Sequence, residues 1–300
     1  MKTIVSVSLG SHLRDHEATL WLFGHQVHLS RRGCDGNLLA AEEMIRQLDG
    51  CVDAIGLGGI DRYLIVKEHW YEIKDAVRLA EAAQKTPVVD GSGVKDTLER
   101  RIVMNLHRDG IIHAGQSVLM VSAMDRFGMA ETFHSLGYSL LAGDLIFSSR
   151  INYPIRSVDE LEELARKLLP ELTRMPFDKL YPLGEAQTEE PDPRYAHYFK
   201  EADIIAGDFH YIRRYMPSDI SGKLVVTNTT TESDLQMLRA RGAKMLVTTT
   251  PVLNGRSFGA NVIEAALVAT SGLSHQDPRW VGMVDRAGLL ETRLVLNDGS

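Results

Sequence analysis

The residues that decide the fold are Ser117 to Asp144, SVLMVSAMDRFGMAETFHSLGYSLLAGD. Val118 to Val121 is an apolar run too short for a helix and bounded by polar residues. Phe127, Ala130, Phe133 and Leu136 then recur at helical spacing, and Gly137 marks the stop. Leu140 to Ala142 is a second apolar run, halted at Gly143–Asp144. The pattern predicts strand, turn, helix and strand, the opening half of a nucleotide-binding α/β domain. Asp144 lies about 20 residues past the turn, where such folds place the acid that holds a ribose hydroxyl. The turn fits less well. Of Ser122 to Gly128 only Gly128 can serve, as the third glycine of a dinucleotide fingerprint. Asp125 stands where a second glycine would admit a pyrophosphate, and its charge would repel one.

Outward from this stretch, composition narrows the class. The 300 residues carry a net charge of −7 with no basic block, which excludes the electrostatic footprint of a nucleic-acid binder. Cys34 and Cys51 have no metal spacing, so a reducing compartment and no disulfide framework are expected. Residues 1–20 lack a signal-peptide core, and no run of about 18 apolar residues occurs. The expectation is a cytoplasmic protein with no membrane partner, no metal, and a small molecule as its substrate; a homodimer is left open.

The first half, residues 1–115, reads as an N-terminal α/β domain. Lys2–Leu9 is a strand, Ala18–Phe23 and Gln26–Ser30 a hairpin, and Asn37–Leu48 a helix. Ala54–Leu57 is a strand, Tyr71–Lys85 a helix, Pro87–Val89 a strand, and Val94 to about Arg108 a helix. Two strand ends carry glycines, GLGGID (56–61) and DGSG (90–93), and glycine lets consecutive N–H groups converge on an anion. At a helix start, Gly91, Ser92 and Gly93 with Lys95 would suit a phosphate or carboxylate; the alternative is a helix capped by Ser92 or Asp90. His12, His16, His25 and His28 read as exposed turn residues rather than ligands.

The second half, 116–300, reads as a Rossmann-like domain with a helical insertion at about 150–201. In the insertion, Ser157 and Glu160 signal a capping box before a charged helix. Prolines around Pro176, Pro182, Pro191 and Pro193 mark a lid or domain-facing loop. Strands at 204–206, 224–226 and 245–247 end in polar residues. All the strand ends should share one rim and gather Ser122, Asp125, Arg126, Asp144, Asp208, His210, Asn228, Thr229, Thr230, Thr249, Arg256, Ser257 and Asn261. Arg256 offers a bidentate partner for a carboxylate or phosphate. Asp208, two residues before His210, would tune an acid–base histidine or would cap the helix Phe209–Tyr215.

The stretches DGSGVKDTLER (90–100), DRFGMAE (125–131), AGDFHYIRRYMP (206–217), TNTTTESD (227–234) and TTTP–GRSFGANVIEA (248–265) resemble a bacterial family labelled quinate 5-dehydrogenase. That family is distantly similar to shikimate/quinate dehydrogenases. The resemblance implies an oxidoreductase using NAD or NADP on a quinate- or shikimate-like metabolite. Shikimate dehydrogenases have a glycine-rich turn and a Lys–Asp pair in the substrate domain. This chain departs from the first at Ser122–Phe127, and its nearest Lys–Asp is Lys95–Asp96.

The reading is therefore two Rossmann-like α/β domains with mostly parallel sheets and a cleft between them. His210 and Asp208 are the candidate catalytic pair. Ser122, Asp125, Arg126, Gly128, Asp144, Asn228, Thr229 and Thr230 would line a nicotinamide cofactor. Gly91, Ser92, Gly93, Lys95, Thr249, Arg256, Ser257 and Asn261 would face the substrate. The alternative, a non-redox transferase or lyase acting on a phosphorylated metabolite, with the phosphate at Gly91–Gly93 or Gly255–Ser257, explains the missing glycines without strain, since no pyrophosphate has to approach residues 122–127. A small-ligand sensor is the third alternative.

Overall fold

β-Branched and apolar runs in each half seed one sheet apiece, and the computed structural model describes residues 1–180, 193–253, 256–274, 277–288 and 291–297. The first half runs β1 (Lys2–Ser8), β2 (His16–Leu22), β3 (His25–Gly33), α1 (Leu38–Leu48), β4 (Ala54–Gly58), β5 (Tyr63–Val66), β6 (His69–Glu72), α2 (Lys74–Ala80), β7 (Val88–Val89) and α3 (Ser92–Arg108). Its main sheet has the order β2-β3-β1-β4-β7, parallel except for β2. Both faces are covered, so its strands are apolar on both sides. Val5, Val7, Ile55 and Leu57 pack toward α1 and α2, while Ile4, Leu29 and Ala54 point the other way.

The second half continues with β8 (Ser117–Met120), α4 (Phe127–Ser135), β9 (Ser139–Ala142), α5 (Asp144–Ser149), α6 (Val158–Leu172), α7 (Phe177–Leu180), α8 (Ala196–Glu201), β10 (Ile204–Gly207) and α9 (Phe209–Tyr215). Then come β11 (Leu224–Thr227), α10 (Glu232–Ala240), β12 (Met245–Thr248), β13 (Val252–Leu253), β14 (Arg256–Ser257), α11 (Ala260–Ser271), α12 (Trp280–Arg286) and β15 (Thr292–Val295). The sheet order is β9-β8-β10-β11-β12-β15, parallel except for the edge strand β15. Strand order reverses between β8 and β10, which makes their carboxyl ends the switch point of the sheet. The α/β architecture with mostly parallel sheets is thus as expected.

Three connections tie the halves together. Helix α3 buries Val94 and Leu98 with the first sheet and Ile102, Val103 and Leu106 with the second. Helix α11, which a boundary at residue 115/116 places in the second half, lies on the first sheet with Val262, Ile263 and Leu267. The β5–β6 hairpin reaches across, burying Val66 with the second sheet and pairing Lys67 with Glu162. This hairpin replaces the expected helical start at Tyr71: Leu64 pairs with Tyr71 and Tyr63 with Glu72, so the helix begins only at Lys74. Pro182 and Pro191 of the expected lid lie outside the described residues.

Candidate functional site

The glycines expected to cradle an anion admit neighbouring helices instead. A side chain on Gly56 would meet Asn261 at 2.9 Å, and one on Gly91 would meet the Asn261 backbone at 2.4 Å. The N-terminus of α11 therefore rests on these loops, and their glycines admit a helix rather than a ligand. Gly128 serves the same end on the other side: a Cβ there would lie 1.8 Å from Asp96 Oδ1 on α3. It is a packing glycine, not part of a cofactor turn.

The loop amides are spent as well. Gly91 has φ of 95°, and the loop opens α3 as the glycines predicted. Yet the acceptor at that helix start is internal: the Gly93 amide donates to Glu264 Oε2 of α11 at 3.0 Å. Ser92 donates from Oγ to Asp90 Oδ1 at 2.7 Å. The expected substrate nest of Gly91, Ser92 and Gly93 is thus filled by the chain's own carboxylate, which burial pushes well above the usual carboxyl range.

The 122–128 turn is closed in the same way. Asp144, buried, accepts from the Ala123 and Met124 amides, both at 2.9 Å. Burial pushes its carboxyl up to about 7, and the Met124 amide pulls the other way. Its oxygens take the two amides that open the turn. The turn thus departs from a dinucleotide fingerprint: it lacks the glycines, and its first two amides are taken.

Other candidates cap or brace the rim. Asp208 is the N-cap of α9, accepting from the His210 amide at 2.8 Å, and its second oxygen accepts from Asn228 Nδ2 at 2.7 Å. Its carboxylate therefore does not orient the His210 ring. That ring instead meets Arg14 Nη1 through Nε2 at 2.9 Å. Burial pushes the ring's pKa down, with Asp208 opposing. Ser122 Oγ accepts from the Asp208 amide at 3.2 Å. Ser257 Oγ accepts from the Thr230 amide at 2.9 Å, and Asn261 Nδ2 donates to Ser6 Oγ at 2.8 Å, so these buried groups hold the fold rather than face a substrate. Thr249 is buried, its amide on the Thr227 carbonyl at 2.8 Å. Thr229 is half-buried beside Gly259. The Arg256 side chain and Gly255 lie outside the described residues.

What remains is a charged cluster where the halves meet. Lys95 Nζ of α3 stands 3.6 Å from Asp61 and 3.5 Å from Asp125. Arg126 is paired with Glu99 of α3 and lies 3.4 Å from Asp208 and 3.7 Å from Asp125. The Arg126 and Glu99 side chains are 4% and 2% exposed, whereas Asp61, Lys95 and Asp125 keep 26%, 15% and 25%. One pair is core; the trio is reachable by solvent. Burial pushes the Asp61 carboxyl up against the pull of Lys95. Burial also opposes the Lys95 charge, but Asp61 and Asp125 outweigh it and hold the ammonium above its ordinary value. Tyr211, pushed up by burial, faces Asp125 and Asp208.

Asp61, Glu99, Arg14, Tyr211 and Glu264 were not among the sequence candidates. Glu99 did carry a signal, since it stands three and seven residues before the buried Ile102 and Leu106, a charge on an apolar stripe. Among the described residues no group of three or more His, Cys, Asp or Glu is placed to hold a metal, and no helix is long and apolar enough to cross a membrane.

Solved structures similar to this chain are distant. Leucine-bound hetero-hexameric glutamate dehydrogenase from Thermus thermophilus is 14% identical, covering 96% of this chain and 77% of its own, with a TM-score of 0.43. A galactofuranose binding protein is 11% identical, covering 99% and 95%, with a TM-score of 0.37. Likenesses this remote say nothing of chemistry. No curated protein matches. A family model described as a domain of unknown function, DUF8753, matches residues 3–90. A second, DUF8754, matches residues 93–290 and so spans more than half of the sequence: the chain belongs to the DUF8754 family.

Proposed function

We propose that the protein binds a small hydroxylated or carboxylated metabolite in the cleft between its two sheets and acts on it by proton transfer. The observation that carries this reading is the solvent-reachable trio of Lys95, Asp61 and Asp125, contributed by both halves. In this scheme Lys95, held cationic, stabilises negative charge that develops on a substrate oxygen. Asp61, whose carboxyl is pushed up, is the proton carrier, because a pKa nearer the working pH serves both directions of transfer. Asp208 positions the α9 start, and His210 serves only if Arg14 releases its ring.

A second reading, a nicotinamide oxidoreductase on a quinate- or shikimate-like substrate, shares the cleft and the substrate class. The parallel sheet with its switch point between β8 and β10 and the family-like motifs favour it. The closed 122–128 turn weighs against it.

Ligand-induced thermal shift separates the two. Quinate, shikimate and other polyhydroxylated carboxylates, with NAD, NADH, NADP and NADPH, would each be added in large excess. A ligand at a hundred times its Kd adds about 2.7 kcal/mol, a rise of a few degrees. The expected result is a rise with a hydroxylated carboxylate that disappears in Lys95→Met. A rise with a dinucleotide would install the second reading. A carboxylate shift that survives Lys95→Met would remove the trio from the site.

A further inference from the structure

Beside the trio lies a cavity of about 20 Å³, walled by the β5 strand, α3 and the 125–128 turn. Tyr63, Ser92, Lys95, Asp96, Glu99, Asp125 and Arg126 supply its polar lining. That volume exceeds the roughly 10–15 Å³ one water needs and is far below what any metabolite needs.

The polar groups around it are incompletely bonded. Asp125 Oδ1 and Arg126 Nε are buried and have no hydrogen-bond partner. Lys95 stands 3.5 and 3.6 Å from its two carboxylates, beyond the usual 2.7–3.2 Å of an N–H···O bond. The residues that carry these groups line a space of one-water size. A water accepts twice and donates twice, and buried waters typically make about three such bonds. Asp96, Glu99 and Asp125 on the lining already have Lys95, Arg100 and Arg126 as cationic partners, and a water, unlike a further cation, can accept hydrogen bonds from both Lys95 and Arg126.

We propose that this cavity is a single-water site, in which the water accepts from Lys95 and Arg126 and donates to Asp125 Oδ1. Its place has a chemical consequence. Glu99, sealed from solvent and paired with Arg126, lines the same cavity. The water gives the Glu99 carboxyl a route to Asp125: as Arg126 shifts from the water to Glu99, the lone pair it frees takes the Glu99 proton while the water passes one of its own to Asp125 Oδ1. Burial pushes the Glu99 carboxyl up to about 7, so its proton is exchangeable near neutral pH. The site stands whether or not a metabolite binds the trio, since it rests on the cavity and its lining alone.

The test is a high-resolution crystal structure of the full chain, with a second crystal soaked in a rubidium salt. The expected result is one peak in the cavity with three or four polar neighbours at hydrogen-bond distance, and no anomalous signal after the soak. An empty cavity, or a rubidium peak inside it, overturns the proposal. Asp125→Leu, close in size but lacking the acceptor, should lose the peak, while Asp125→Asn, which keeps an acceptor oxygen, should retain it. Should Asp125→Leu fail to fold, the wild-type crystals and Asp125→Asn still decide. Carboxyl-detected NMR then follows the route: Glu99 should exchange its proton with solvent more slowly in Asp125→Leu than in Asp125→Asn, and equal rates would remove the relay.

Discussion

Replacing Arg126 by methionine should cost stability in proportion to pH. The stem is roughly conserved, while Glu99, 2% exposed, loses the cation beside it. In the unfolded chain a glutamate titrates near 4.3, whereas burial pushes the native Glu99 up to about 7 despite Arg126. The folded pKa is the higher one, so the stability that neutral Glu99 contributes is complete below about 4.3 and lost as pH rises through about 7. At 1.36 kcal/mol per pKa unit, the loss in wild type amounts to roughly 3–4 kcal/mol and ends near neutrality. Without Arg126 the native pKa moves higher, and the variant goes on losing about 1.4 kcal/mol per pH unit where the wild type has levelled. The full penalty of a broken buried pair, about 3–5 kcal/mol, should therefore show only at alkaline pH. At pH 6 the carboxyl escapes by holding its proton. Urea unfolding of the wild type, Arg126→Met and Arg126→Met/Glu99→Gln from pH 6 to 9 measures this. The gap between wild type and single variant should widen with pH, and the added glutamine should abolish the widening. A gap of constant size in both backgrounds would show that Glu99 is not the anion Arg126 compensates.

Three further perturbations test the internal bracing. Gly128→Ala puts a Cβ 1.8 Å from Asp96 Oδ1 and 2.8 Å from Arg100 Nε, so Asp96 must release Arg100; overpacking of this kind costs about 1–3 kcal/mol, and a thermal melt should show Asp96→Ala recovering much of it. Asp144→Ala leaves the Ala123 and Met124 amides buried without an acceptor, at about 1–3 kcal/mol each, which a lowered urea midpoint would register and an unchanged one would refute. Glu264→Gln should cost least at acid pH, because burial raises the Glu264 pKa and disfavours its charged form. Its raised pKa means its contribution fades as pH rises, so the glutamine should flatten the alkaline slope of stability, while Glu264→Ala loses the α3 cap at about 0.5–2 kcal/mol.

Much of this architecture was legible in the sequence. β8, β10, β11 and β12 are short apolar runs stopped by polar residues, and each is a central parallel strand with both faces buried, where such runs belong. The β5–β6 hairpin was not legible. Its two-residue turn is Lys67–Glu68, with Lys67 at φ 51°, and lacks the Asn-Gly or Asp-Gly that announces such turns. The glycines misled for a different reason. A glycine that admits a phosphate and one that admits a helix look alike, and the helix resting on Gly91 begins at Ala260, far along the chain. Asp208 was read both ways, and the backbone chose the cap. Glu99 could have been found as a charge out of place on a buried stripe, but its partner Arg126 could not, since only the packing of α3 beside the 122–128 turn joins them.

These misreadings share a cause that bears on what the cleft can recognise. A doubly wound sheet ordinarily offers anions the free amides of its loop-to-helix turns. Here the amides of Ser92, Gly93, Ala123, Met124 and His210 are answered by Asp90, Glu264, Asp144 and Asp208 from within the chain. In the proposed site recognition therefore falls to side chains, Lys95 and its two carboxylates. Side-chain recognition of this kind selects a ligand with both donors and acceptors. A bare phosphate would satisfy Lys95 but stand against Asp61 and Asp125, while a sugar-like hydroxyl donates to the carboxylates and accepts from the ammonium at once. Inorganic phosphate should consequently raise the melting temperature less than a polyhydroxylated carboxylate at equal concentration. The reverse order would move the site away from the trio and toward a phosphorylated ligand elsewhere on the rim.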